Sequence, residues 1–317
     1  MRKALIVGIN DYPRGNQLNG CIPDANKMQS ILSRHFDDSP NFACKKLISS
    51  ETTITIGALK ESIIELFDGQ SDVALFYFSG HGSEPTNSAK ACLVTQDGLQ
   101  HNLGVEFDFL INTANKSQAR EIVIILDCCF SGAAGNSVFV ENITTLREGV
   151  SILTSSHYNQ VSAEISSGGI FTSFVYDALD GGAGDTTGLI TVAGVYAFAD
   201  KLLGPWDQRP IFKSYVTKMM TLRKCKPQVE LEVLRKLPNY FVDETYKFPL
   251  DPSFEPDAEP KNPENEAIFF ELQQYNRASL LVPTEADHMY YAAMNSKGCE
   301  LTPLGRYYLR LAIEGKL

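Results

Sequence analysis

Three short segments of this chain are apolar at almost every position, residues 3–9, 73–78 and 122–126, and a fourth, 150–154, is apolar at three of its five positions. Runs of that length and uniformity form strands buried on both faces, as in a parallel sheet covered by helices. A sheet with one wet face would alternate apolar and polar side chains instead. Between these runs the apolar period lengthens to that of a helix. Ala25, Met28, Ile31 and Leu32 share one face of residues 24–35, and Ile56, Leu59, Ile63, Ile64 and Phe67 form a stripe along residues 53–67. Residues 103–114, 170–179 and 191–203 read as further helices, and 45–48 and 209–212 as short strands. This alternation predicts an α/β sandwich with a mostly parallel central sheet. Ligands in such folds sit beyond the carboxyl ends of the strands, and His81, Cys129, Ser155 and the loop after Ile9 all fall there.

Composition narrows the function classes. With 44% hydrophobic and 21% charged residues, the chain is neither disordered nor collagen-like nor a coiled coil. A formal net charge of −10 argues against general affinity for nucleic-acid backbones. Arg2-Lys3 lead into a short apolar run followed by polar Asn10-Asp11, too short for an export signal. No apolar run approaches the ~18–20 residues of a membrane helix. The seven cysteines are odd in number and scattered, and include the adjacent Cys128-Cys129, which suits a reducing cytoplasm better than a disulfide framework. Without a CxxC pair or an HExxH segment, no metal site is expected.

After residue 217 the character changes. Residues 219–237 lean basic (Arg223, Lys224, Lys226, Arg235, Lys236), and residues 243–266 hold eight acids, two lysines and five prolines in 24 positions. The expected organisation is therefore an α/β domain over 1–217 and a connector with an acidic, Pro-rich linker over 218–266. A small, mainly helical accessory domain follows over 267–317. It is a packing module on the first reading and a winged-helix-like recognition module on the second.

Two loops carry the chemistry. Ser79-Gly80-His81-Gly82 leaves one buried strand, and Asp127-Cys128-Cys129-Phe130-Ser131-Gly132 leaves another. A cysteine nucleophile needs a base within hydrogen-bond reach, and neighbouring strand ends can bring together residues that lie 48 positions apart. Alone, a histidine between glycines is a turn residue and a strand-end cysteine is core filling. Together, on successive core strands, they point to a Cys–His dyad. The flanking glycines let a substrate backbone approach closely, and the N–H groups of Gly82 and Cys129 can form a two-donor oxyanion hole.

These residues resemble the caspase-like cysteine peptidases, in the branch of metacaspases and bacterial caspase homologues, over residues 1–217. The resemblance rests on several ordered motifs: the 3–9 run, Leu18-Asn19-Gly20-Cys21 with Asp24-Ala25, Phe78-Ser79-Gly80-His81-Gly82, and Asp127-Cys128-Cys129-Phe130-Ser131-Gly132. Ala163-Glu164, Gly169-Ile170-Phe171-Thr172 and Gln208-Arg209-Pro210 follow. It implies a caspase-like α/β/α sandwich and hydrolysis of peptide bonds by a Cys–His dyad. Cys129, directly before the Phe130-Ser131-Gly132 turn, aligns with the nucleophile. Cys128 should then face the core, because adjacent strand residues point to opposite sides. Phe130 stands where metacaspases often carry histidine, with little expected consequence.

The resemblance also places an S1 pocket. True caspases bind an acidic P1 side chain through arginines, whereas here the pocket loops offer Asp24 and Asp127, with Cys21 and Ser79 aligned beside them. Two carboxylates repel an acidic side chain and favour arginine, whose planar fork can engage both. Protein or peptide substrates with basic P1 residues are thus expected. Calcium-dependent metacaspases carry acid clusters between the His and Cys loops and soon after the Cys. This chain has only Asp97, Glu106 and Asp108 in the first region and Asn136 in the second, so weak or no calcium dependence is expected, and no other cofactor. Arg147, in the polar segment after the nucleophile, and Arg223, in the connector, are candidate processing sites. The C-terminal domain is a candidate docking surface for a regulatory protein. Two other readings stand beside the peptidase: a catalytically inactive scaffold of the same fold, and a regulator whose C-terminal module binds nucleic acid.

Overall fold

A computed structural model describes residues 1–83, 90–99, 101–128, 145–155, 169–203 and 210–317. Within the first compact unit, residues 1–184 and 189–225, the apolar runs form the expected sheet. Strands β1 (Arg2–Gly8), β2 (Ala43–Ile48), β3 (Val73–Ser79), β7 (Glu121–Asp127), β8 (Val150–Thr154) and β10 (Ile211–Tyr215) lie in the order β10-β8-β7-β3-β1-β2. All pairs are parallel except β10 with β8.

The central strands β3 and β7 are buried almost end to end because both faces are covered, and each face has its own core. On one, Leu5, Val7, Phe76, Phe78, Ile124 and Leu126 meet the helices α2 (Ile56–Phe67) and α3 (Phe107–Lys116). On the other, the alternate residues Ile6, Leu75, Tyr77, Val123 and Ile125 meet α1 (Cys21–Ser33), α4 (Ile170–Asp177) and α5 (Val192–Leu202). Cys128 belongs to the α2/α3 core, facing inward as its parity requires. Helix starts follow local chemistry: Thr55 and Thr191 cap α2 and α5 by accepting the N–H groups of Ala58 and Gly194.

One helix expectation is corrected. Residues 103–106 belong to a strand, because β4 (Gly82–Ser83), β5 (Cys92–Leu99) and β6 (Asn102–Glu106) form a small antiparallel sheet, and α3 begins only at Phe107. Gly104 is the physical reason. A Cβ there would lie 1.8 Å from the Leu93 carbonyl oxygen, so the close strand pairing requires glycine.

The second unit comprises residues 185–188 and 226–317. Its helices include α6 (Leu231–Leu234), α7 (Leu237–Tyr240), α8 (Pro263–Arg277), α9 (Met289–Met294) and α10 (Pro303–Ile313). They accompany a three-stranded antiparallel sheet of β12 (Lys247–Pro249), β14 (Gly298–Leu301) and β13 (Leu281–Thr284). The stretch 243–266 is therefore not a plain linker. It supplies β12 and the first turn of α8, and buries Leu250 and Phe254 with Phe241, Phe269 and Leu272. Apolar side chains spaced between prolines anchor a loop that composition alone marks as exposed. Among the described residues, no helix is long and apolar enough to cross a membrane.

Candidate active site

Sheet register lines up the candidate residues. Gly8 of β1 pairs with Ser79 of β3, and Ser79 pairs with Asp127 of β7, so three strand ends form one rim. The chain crosses this rim through hydrogen bonds from the Ile9 N–H to the Ser79 carbonyl (3.0 Å) and from the Gly80 N–H to the Asp127 carbonyl (3.3 Å).

His81 follows directly and is held from two sides. Its N–H donates to the buried Tyr12 hydroxyl at 2.8 Å, and the two rings lie 4.6 Å apart. Its Nε2 lies 2.7 Å from the Asn16 carbonyl. A carbonyl only accepts, so Nε2 carries a hydrogen, and in the neutral ring Nδ1 is then the acceptor. Burial pushes the Tyr12 phenol far up, partly offset by the His81 N–H, so Tyr12 stays a neutral prop. Gly80 makes room for it: a Cβ there would stand 2.5 Å from the Tyr12 hydroxyl and 2.9 Å from the Phe78 ring. Gly82 is buried in β4 opposite Leu93. A cavity of about 250 Å³ opens beside His81, its lining including Tyr12, Arg14, Asn16 and Gln96.

Two carboxylates meet on the same unit. Asp24, in the first turn of α1, is 1% exposed and accepts the Gly169 N–H through Oδ2 at 2.9 Å. Its Oδ1 is buried without a hydrogen-bond partner among the described residues. Asp127, at the end of β7, accepts from Thr172 through Oδ2 at 2.5 Å. Gly169 lies between the two: a Cβ there would come within 2.6 Å of Asp127 Oδ2 and 3.1 Å of Asp24 Oδ2. Burial drives the Asp24 carboxyl up to about 7, the Gly169 N–H opposes the shift, and the nearby Asp127 charge adds to it. An unpartnered buried carboxylate oxygen beside a second carboxylate is unusual in a folded core, and the two charges oppose each other's ionisation.

Of the other expected pocket residues, Cys21 begins α1, its N–H bound to the Asn10 side chain at 3.0 Å, and is nearly buried. Ser79 ends β3 and is buried. The expected nucleophile Cys129, with Phe130-Ser131-Gly132, Asn136, Ala163-Glu164 and Gln208-Arg209, lies outside the described residues. The acids weighed for calcium have other work. Asp97 accepts the Ile56 N–H and the Thr95 hydroxyl, and Glu106 and Asp108 both pair with Lys90 at 3.2 Å. Arg147 is bound by the carbonyls of Ala114, Ala119 and Glu148. Arg223 is buried on those of Arg34 and Leu179. Sequence reasoning assigned nothing to Tyr12, Asn16, Tyr77 or Thr172. Only the Gly169-Ile170-Phe171-Thr172 motif, quoted for the resemblance, carried a signal for the last of these.

A mostly parallel sheet of this order, with a core on each face, defines the class: an α/β/α sandwich with a histidine and a carboxylate at its strand ends. The caspase-domain model matches residues 1–229, and the chain belongs to this family of cysteine peptidases. Curated relatives are metacaspases. Metacaspase-1 of Plasmodium falciparum is 26% identical over 155 residues, covering 42% of this chain and 24% of the relative. Metacaspase-9 of Arabidopsis thaliana is 30% identical over 143 residues, covering 41% and 43%. The aligned part thus spans less than half the length of these relatives. In fold, the chain is similar to the crystal structure of protein GSU0716 from Geobacter sulfurreducens. The TM-score is 0.51 at 17% identity, over 71% of this chain and 99% of that one.

Proposed function

We propose that this protein is a cysteine endopeptidase cleaving after arginine or lysine, with Cys129 as nucleophile and His81 as its proton partner. The observation that carries the reading is the carboxylate pair, Asp24 and Asp127, meeting at Gly169 on the unit that bears His81. Two carboxylates repel an acidic P1 group and draw in a guanidinium. Cys21 and Ser79 complete the S1 pocket.

His81 Nδ1 takes the thiol proton, and the thiolate attacks the scissile carbonyl carbon. Charge gathers on the carbonyl oxygen, where the N–H groups of Gly82 and Cys129 serve as donors. The C–N bond then breaks, and the amine leaves with the proton from His81. Water cleaves the thioester, and its proton returns through His81 to the sulfur. This chemistry calls for no cofactor, and calcium has weak or no effect. The substrates are proteins or peptides of the cytoplasm, and a regulatory protein acts through the second unit. Processing after Arg147 or Arg223 requires local opening, since backbone carbonyls hold both guanidinium groups.

A fluorogenic peptide panel with Arg, Lys, Asp and Ala at P1, with and without calcium, tests the reading on wild type and Cys129→Ala. Turnover of the Arg and Lys peptides by wild type alone is expected. Turnover confined to the Asp peptide overturns the pocket, and activity surviving in Cys129→Ala overturns the nucleophile.

A further inference from the structure

Thr172 lies in the first turn of α4 with no exposed surface, its hydroxyl 2.5 Å from Asp127 Oδ2 and 2.5 Å from the Tyr77 hydroxyl. Its one hydrogen goes to the carboxylate, which only accepts, so the fully buried Tyr77 donates to Thr172. Two buried hydroxyls therefore form a line from Tyr77 through Thr172 to Asp127. Burial, with help from the charges of Asp127 and Asp24, drives the Tyr77 phenol well above its ordinary range and keeps it a donor. On the other side Gly169 leaves no slack, since even a Cβ there would overlap Asp127 Oδ2.

Resting on the basic-P1 reading above, we infer that Tyr77 and Thr172 are positioning residues that hold the Asp127 carboxylate in one orientation, and that this orientation selects arginine over lysine at P1. A carboxylate pinned at one oxygen cannot swing about its Cβ–Cγ bond. A guanidinium needs that fixed plane to make paired hydrogen bonds, whereas an ammonium is a point charge that tolerates a rotated partner. The hydroxyl line thus bears on the shape of the P1 group, while the charge of Asp127 bears on its sign.

The test compares Arg and Lys peptides on the full chain as wild type, Thr172→Val, Thr172→Ser and Tyr77→Phe, with melting curves for each. Loss of one hydrogen bond to a charged group should raise KM for the Arg peptide about tenfold in Thr172→Val, with kcat little changed. KM for the Lys peptide should rise far less, so the Arg/Lys ratio collapses, and Thr172→Ser should restore it. Tyr77→Phe, which removes a single oxygen, should move the ratio the same way and decides the matter should Thr172→Val fail to fold. Wild type that cleaves neither peptide ends the basic-P1 reading and this one with it. Wild type that prefers arginine, with an unchanged ratio in Thr172→Val or equal losses for both peptides, refutes the positioning role alone.

Discussion

Replacing Asp24 by asparagine should make the protein more stable at neutral and alkaline pH while removing its cleavage after arginine. Asp24 is 1% exposed, and burial is the main cause that moves its carboxyl from 3.8 up to about 7. A folded-state pKa above the unfolded one means the native state holds the proton more tightly. Stability is then greatest below about pH 4, falls as pH rises toward 7, and stays low above it. About three pKa units at about 1.4 kcal/mol each give at most about 4 kcal/mol of lost stability. Asparagine keeps the shape, accepts the Gly169 N–H through its oxygen and carries no charge. The variant should therefore gain on wild type by about 1.4 kcal/mol per pH unit between about pH 4 and 7, with no further gain beyond. Urea denaturation followed by circular dichroism, from pH 5 to 8.5, measures the difference, and the Arg-peptide assay measures the lost function. Taking the difference cancels the titrating groups that do not interact with Asp24. Parallel stability curves for the two proteins, or a variant less stable at pH 8, would refute the account of Asp24 as a buried charge held for a ligand.

Three further outcomes follow from the same geometry. KM for an Arg peptide should fall as pH rises toward about 7, because Asp24 must shed its proton before a guanidinium binds; a KM flat from pH 5.5 to 8.5 contradicts this. Gly80→Ala should lower kcat by at least about tenfold, because its Cβ would stand 2.5 Å from the Tyr12 hydroxyl that holds the His81 N–H; steady-state kinetics at wild-type kcat would show that Tyr12 does not position the histidine. In the second unit, Leu272→Ala removes a fully buried side chain and should destabilise that unit by about 2–5 kcal/mol, read by chemical denaturation of the full chain.

Much of the first unit was legible along the chain. Strands β1, β3, β7 and β8 begin and end within one residue of the ranges read from the sequence, since a strand covered on both faces is mostly apolar. The α1, α2 and α5 stripes were equally readable, because an amphipathic helix records its buried face at a fixed period. Where burial was irregular, the reading slipped. Residues 103–106 carried the same kinds of side chain as a helix start and became a strand through pairing with β5. Residues 243–266 looked like a linker because isolated apolar residues such as Leu250 and Phe254 make no period.

The sequence by itself determined the layered sheet, the inward turn of Cys128, and the gathering of His81, Ser79 and Asp127 at one rim. These depend on the two-residue alternation of strands and on where apolar runs stop. Tertiary structure alone decided the partners: Asn16 and Tyr12 against His81, Gly169 between Asp24 and Asp127, and Thr172 joining Tyr77 to a carboxylate 45 residues away. Periodicity encodes only whether a side chain is buried. Which polar group meets it there depends on how separate strands and helices pack, and no local pattern in the chain records that.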